Sequence, residues 1–110
     1  MKPKICIVIS TYNSGITDKL LFSAKNELKR YGVIKTKDYK VPGAFEIPVA
    51  IARLAKKYDG FIAIGCIIKG QTANFNLISS AITNAIMNLS IATKKPIGNS
   101  YLLDIEPITD

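Results

Sequence analysis

The turn at residues 69–72 contains the residue types that suit an anion. Its residues are Lys69, Gly70, Gln71 and Thr72. It follows an apolar run at residues 60–68 and opens a segment with helical periodicity. Free backbone N–H groups, a hydroxyl and the positive end of a helix dipole together can bind a phosphate, and Lys69 could add charge. Turn geometry and helix capping alone also favour Gly and Thr, so the turn predicts an anion site with capping as the alternative.

Three further polar or aromatic residues stand where apolar segments end. Glu46 lies in the otherwise apolar loop at residues 42–46, and it could accept hydrogen bonds from a polyol or an amine, or cap the following helix. Tyr12 could stack on a flat ring or cover the rim of the core. Asn74 could contact a ligand or be a polar residue of a first helical turn.

Composition restricts the chemistry further. The chain has 110 residues and no histidine, which excludes a Cys/His metal site and a histidine-based triad. Cys6 and Cys66 both lie in apolar runs, where buried reduced thiols are expected. We therefore expect no metal site.

Charge and hydropathy exclude two classes of partner. The net charge is +7, but the lysines are scattered and no aromatic residues interleave with them, so solvated surfaces are expected and nucleic-acid binding is not. The longest apolar runs are shorter than the roughly 20 residues of a membrane span, and the first residues have no signal-peptide pattern. We expect a cytoplasmic protein that does not enter a membrane.

Strand-like and helix-like segments alternate along one domain, residues 1–110. Strands are predicted at 5–10, 33–41, 60–68 and 97–103, and helices at 16–31, from the 42–43 turn to 57, and at 73–93. The apolar positions of the last helix are Leu77, Ile78, Ala81, Ile82, Ala85, Ile86 and Leu89. This alternation predicts a three-layer α/β/α sandwich with a four-stranded parallel sheet, doubly wound and flavodoxin-like, in which 60–68 is central and 33–41 lies at an edge.

Parallel topology brings the candidate residues together. In such sheets ligands bind beyond the carboxyl ends of the strands. The loops at residues 12–13, 42–46 and 69–72 follow three of these ends. We therefore expect them to converge on one crevice.

Three segments resemble one known family. TYNSGITDKLL, VPGAFEIPVA and IGCIIKGQTANFNLISSAITNAIM, read in this order, are similar to lumazine synthases, and the likeness extends from about residue 5 to residue 98. The resemblance implies condensation of 5-amino-6-ribitylaminouracil with 3,4-dihydroxy-2-butanone 4-phosphate, without a metal or organic cofactor. It also implies a homo-oligomer built from pentamers, with active sites between subunits.

The resemblance assigns roles to the three loops. The matching positions are Tyr12 and Asn13, then Ala44, Phe45 and Glu46, and finally Ile67, Ile68, Gln71 and Thr72. It implies that Tyr12 stacks on the pyrimidine with Asn13 beside it, and that residues 44–46 hold the ribityl chain, with Glu46 accepting hydroxyl hydrogen bonds. Ile67 and Ile68 would line the pyrimidine pocket, and the turn that follows would bind the phosphate.

The chain departs from the family pattern at several positions. Where the family's G-x-T-x-H-aromatic pattern has a proton-transferring histidine, this sequence has Asn74, and Asn99 occupies the position of an aromatic that closes a neighbouring site. Relative to the family the chain is expected to be C-terminally truncated, without the segment that carries a phosphate-binding arginine. Two hypotheses therefore stand: a lumazine synthase of riboflavin biosynthesis, or an impaired family member that only binds ligand or partner subunits.

Overall fold

The computed structural model describes residues 3–68 and 75–105, and the side chains of residues 3–67 and 76–98. Its elements in chain order are β1 (Ile5–Ser10), α1 (Ser14–Arg30), β2 (Thr36–Val41), α2 (Glu46–Leu54), β3 (Gly60–Ile68), α3 (Phe75–Thr93) and β4 (Ile97–Ile105). The strands form one parallel sheet in the order β2-β1-β3-β4. The predicted doubly wound fold is confirmed, with β3 inside the sheet and β2 at its edge.

Helices cover both faces of the sheet, and β1 is apolar toward both of them. Along β1, Cys6 and Val8 belong to a core cluster with residues of α2 and α3, whereas Ile7 and Ile9 pack against α1. The α1 side chains in this second cluster are Leu20, Leu21, Ala24 and Leu28. The spacing of these four residues, at intervals of one, three and four, places them on one face of the helix.

The end of α1 explains why β2 begins later than residue 33. Gly32 has φ 84°, and the N–H of Val33 donates to the carbonyl oxygen of Leu28 at 2.9 Å, which closes the helix in a Schellman-type arrangement. The backbone N–H of Val33 therefore belongs to the C-terminal cap of α1. The sheet ladder starts where Thr36 pairs with Ile5, so residues 33–35 are not part of the strand.

Other boundaries differ by a few residues from the sequence predictions. The start of α1 is Ser14 and not residue 16, because Asn13 adopts left-handed backbone angles and its carbonyl accepts the N–H groups of Ile16 and Thr17. The end of α2 is Leu54 and not residue 57, because the chain turns there with a bond from the N–H of Lys57 to the carbonyl of Leu54. Strand β4 continues to Ile105, and the predicted first residues of α3 lie outside the described part.

The apolar stripe of α3 contacts the core along only part of its width. Ile82 and Ile86 are buried, and Ile78 and Leu89 pack against the same core. Leu77, however, is 68% exposed and Ala81 is exposed as well. A flat sheet contacts only part of a helix circumference, so residues toward the far side of the predicted stripe remain in solvent.

Candidate functional site

The loops after β1 and β2 are joined by backbone hydrogen bonds. The N–H of Thr11 donates to the carbonyl of Val41 at 2.8 Å, and the N–H of Tyr12 donates to the carbonyl of Pro42 at 3.1 Å. The ladder between the two strands thus continues past their ends. Tyr12 is thereby held beside the 42–46 loop.

A cavity of about 250 Å³ lies at this carboxyl edge of the sheet. It is lined by Tyr12, Gly43, Ala44, Phe45, Glu46, Cys66, Ile67, Ile78 and Ile82. The structure therefore brings together five of the residues singled out in the sequence, namely Tyr12, Ala44, Phe45, Glu46 and Ile67. Gly43 belongs to the 42–46 loop that is expected at this edge. Sequence reasoning missed Cys66, Ile78 and Ile82 as lining residues, although the place of the two isoleucines in the first turns of the helix that follows β3 is a usable signal.

The mouth of the cavity is aromatic. Tyr12 is 53% exposed and Phe45 is 58% exposed, while Ile67 and Ile82 behind them are buried. Large aromatic surfaces left in water beside an apolar cavity can bind a flat, partly apolar ligand by stacking. The geometry thus combines a stacking entrance with an apolar floor.

Glu46 supplies the carboxylate of this cavity. It is the first residue of α2, and its side chain turns back toward Gly43, so that its Oε2 would lie 3.0 Å from a Cβ added to that glycine. Within the described residues this carboxylate has no hydrogen bond or ion pair. The helix start has Phe45 as its N-cap without a side-chain capping bond. Glu46 is therefore an exposed acceptor beside the cavity, where the positive end of α2 favours its charge.

Asn13 lies behind the cavity wall. Its backbone has φ 59° and ψ 51°, a conformation that Asn tolerates better than most residues, and its Nδ2 donates to the Sγ of Cys66 at 3.9 Å. Burial raises the pKa of the Cys66 thiol, and the hydrogen bond from Asn13 acts in the opposite direction. In this structure Asn13 supports the β3 end and is not among the lining residues.

The remaining candidate residues lie outside the described side chains. Ile68 is the last residue of β3, but its side chain is not described. The others are Lys69, Gly70, Gln71, Thr72 and Asn74. The anion site and the role of the asparagine therefore stay sequence predictions.

The described part of the chain has neither a metal-binding cluster nor a membrane-spanning helix. Among residues 3–68 and 75–105, no group of three or more His, Cys, Asp or Glu side chains is arranged to hold a metal ion. In the same ranges no helix has both the length and the apolar character needed to cross a membrane.

Comparison with known proteins identifies a consistent set of relatives. The family model for 6,7-dimethyl-8-ribityllumazine synthase matches residues 2–104. Proteins named 6,7-dimethyl-8-ribityllumazine synthase from Pyrococcus furiosus, Lactiplantibacillus plantarum and Corynebacterium urealyticum are 37%, 42% and 35% identical over 95, 99 and 99 residues. These matches cover 86%, 86% and 90% of this chain and 60%, 62% and 61% of the relatives. The chain thus spans about three fifths of the length of the curated relatives it matches.

Proposed function

Because the chain belongs to the 6,7-dimethyl-8-ribityllumazine synthase family, we propose that it acts in riboflavin biosynthesis and that its carboxyl-edge cavity binds the ribitylated pyrimidine substrate. The reaction would join 5-amino-6-ribitylaminouracil to 3,4-dihydroxy-2-butanone 4-phosphate. An amine of the first attacks the carbonyl of the second to form an imine with loss of water, and phosphate is then eliminated. The ribityl-bearing amine closes the ring on the remaining carbonyl, and loss of a second water completes the lumazine.

The observation that carries this proposal is the exposed carboxylate of Glu46 beside an apolar cavity with an aromatic mouth. A ribityl chain offers several hydroxyl donors, and a carboxylate that accepts from a hydroxyl forms one of the stronger classes of hydrogen bond. The pyrimidine offers a flat ring for Tyr12 to stack on. The ribityl chain of the ligand thus matches Glu46, and its pyrimidine ring matches Tyr12.

The phosphate of the second substrate has a candidate site in the 69–72 turn. Gly70 permits close approach of the backbone, Thr72 offers a hydroxyl, and Lys69 can neutralise charge. The cavity and this turn both follow strand ends of one parallel sheet, so the two substrates would bind side by side. Holding two reactants in attack geometry can by itself lower a barrier by several kcal/mol, roughly 7–11 at the upper limit.

Asn74 bears on how fast the proposed reaction is. An amide exchanges no proton near neutral pH, and a positioned general acid or base contributes roughly 10²- to 10⁴-fold in rate. The alternative within the same family is therefore a chain that binds ligand or partner subunits with little or no turnover. Asn74 is the residue that favours this alternative.

A time course of lumazine formation tests the proposal and separates the two cases. Purified protein is mixed with both substrates, and the wild type is compared with Asn74→His and with Glu46→Gln, which keeps the side-chain size but removes the charge. Formation above the uncatalysed rate in the wild type supports the enzyme. Binding of the ribitylated pyrimidine without turnover, with activity gained by Asn74→His, supports the binding protein. If no variant binds the ribitylated pyrimidine and none forms lumazine, the proposal is contradicted.

The exposed side of α3 supports a homo-oligomer as part of the same proposal. Leu77 and Ile91 are 68% and 72% exposed, and with Ala81 they lie on a helix face directed away from the core. Apolar side chains grouped in this way are typical of contact surfaces. We expect sedimentation velocity to detect an oligomer, and Ile91→Lys to weaken it more than Asn26→Lys at an exposed position of α1. A wild-type chain that sediments as a monomer at high concentration would contradict this.

A cytoplasmic location belongs to this proposal as well. Cys6 and Cys66 are both buried free thiols, which is compatible with a reducing compartment.

A further inference from the structure

The amino edge of the sheet has a second cavity, larger than the one described above, with a volume of about 580 Å³. It lies between the segment that enters β1, the connection from α1 to β2, and Tyr58, which follows α2. We call it the amino-edge cavity. Strand β1 is six residues long, and at about 3.3 Å per residue this separates the two cavities by roughly 20 Å. The proposed function makes no use of it.

The walls of the amino-edge cavity are apolar and held in place. Ile5 and Val33 are half-buried, and Ile34 is 67% exposed at its margin. The ring of Tyr58 packs edge-to-face on Phe61, with centroids 5.9 Å apart and planes at 71°. A cavity whose walls are already ordered loses little entropy when a ligand enters.

Backbone hydrogen bonds fix the same walls. The N–H of Lys4 donates to Oδ2 of Asp59 at 2.7 Å, and the carbonyl of Lys4 accepts the N–H of Asp59 at 2.7 Å. On the other side, the bond from Val33 to Leu28 ends α1 and anchors the connection. The cavity is thus a built feature of the fold and not a gap between mobile loops.

The charged groups of the amino-edge cavity are mainly cationic. Lys4, Lys35 and Lys37 line it, all three are exposed, and within the described residues none of them forms an ion pair. The nearby acidic groups have other partners. Asp59 accepts the backbone bond from Lys4, while Asp38 binds Lys25 at 2.6 Å and accepts from Thr36 at 3.3 Å. Cationic charge therefore predominates around apolar walls.

We propose that the amino-edge cavity binds an organic anion with an apolar body, of the class of aromatic carboxylates. The apolar body contacts Ile5, Val33 and Tyr58, and the carboxylate faces Lys35 and Lys37. The volume lies in the range of small-molecule sites, about 300–1,000 Å³. Inorganic phosphate matches the lysines but not the apolar walls, and a neutral hydrocarbon matches the walls but not the lysines.

Titration with 2-naphthoate, followed by chemical shifts of ¹⁵N-labelled protein, tests this proposal. We expect saturable shifts at the backbone amides of Ile5, Val33 and Ile34, but not at Ala44 or Ile67. The neutral 2-naphthamide should bind at least about tenfold more weakly, because it lacks the charge that the lysines recognise. Binding of naphthoate should also weaken as salt is raised.

Matched variants separate this site from general attraction to a basic protein. The double variant Lys35→Gln/Lys37→Gln should lose at least about tenfold in naphthoate affinity, whereas Lys19→Gln/Lys29→Gln, on exposed positions of α1, should retain it. The proposed lumazine chemistry should be unchanged in both, so failure of one proposal is distinguishable from failure of the other. Equal affinity of the two double variants overturns the inference. The inference is also overturned if the wild type binds no naphthoate and Ile34→Glu dissociates an oligomer. The amino-edge cavity would then be a contact between copies of the chain.

Discussion

Gly43→Ala separates the proposed ligand binding at the carboxyl-edge cavity from folding. A Cβ at this position would meet Oε2 of Glu46 at 3.0 Å and its Cδ at 4.0 Å. Favourable carbon contacts lie at about 3.5–4.0 Å, so the carboxylate must withdraw by about half an ångström. It can do so because it is the end of an exposed, flexible side chain. Gly43 is not among the positive-φ residues, so alanine can adopt its backbone conformation.

The expected magnitudes follow from this geometry. Replacing Gly by Ala at a compatible conformation stabilises a protein by about 0.4–1 kcal/mol through the unfolded state. A hydrogen bond to a charged group is worth about 1.5–3 kcal/mol, and displacing the carboxylate removes only part of it. If about half is lost, the affinity for the ribityl group falls roughly three- to tenfold, since about 1.4 kcal/mol corresponds to tenfold.

Two measurements check the Gly43→Ala prediction. The affinity for 6,7-dimethyl-8-ribityllumazine is obtained from its fluorescence, and the free energy of unfolding from urea denaturation. Gly15→Ala is the matched control, because a Cβ there meets nothing within 4 Å in the second position of α1, so stability should rise without a change in affinity. Unchanged affinity in Gly43→Ala, together with weakened binding in Glu46→Gln, would refute the steric reasoning. A loss of stability would refute the claim that the carboxylate can move freely.

Three further predictions concern the core and the backbone. Ile51→Ala should lower the free energy of unfolding by about 2–5 kcal/mol in urea denaturation, because Ile51 is fully buried between α2 and the sheet, whereas the exposed Val49→Ala should cost far less. Burial raises the pKa of Cys6 from 9.0 to about 11, with Asp38 adding to the increase and Lys37 opposing it, so the folded protein keeps a proton that the unfolded chain releases. Stability should therefore fall as pH rises from 9 to 11, by on the order of 2–3 kcal/mol, and this slope should be smaller in Cys6→Ala; equal slopes would contradict the assignment. Asn13→Ala should cost about 1–2 kcal/mol because of its positive φ, whereas Asn13→Gly should restore most of that loss, and equal stability of the two variants would show that φ is not the cause.

The elements of the fold could be predicted because their signals are local. The run at 60–68 is apolar at nearly every position, which indicates a strand covered on both faces, and β3 is such a strand. Boundaries were less accurate where a tertiary or capping contact sets them. Residues 33–35 have strand-like composition in part, yet Val33 ends α1 and the pairing of Thr36 with Ile5 sets the start of β2.

For the candidate site, the topology predicts which loops come together but not how their side chains are directed. Loops that follow parallel strands must meet at one edge of the sheet, so the approach of Tyr12 to Glu46 follows from the order of the elements. The direction in which each side chain points does not follow from that order. Asn13 is predicted to lie beside the ligand with Tyr12, and the structure adds that its amide donates to the Cys66 thiol, which the sequence does not indicate.

The sequence by itself determined the family, the alternation of strands and helices, and the loops that gather at the carboxyl edge, because periodicity and motif order are properties of contiguous residues. Only the tertiary structure decided the rest. It determined which side of α3 is buried, that Ile78 and Ile82 form part of a cavity wall, and that Lys4, Lys35 and Tyr58 surround a second cavity. These features depend on strand register and on how each helix rests on the sheet, and such contacts join residues far apart in the chain.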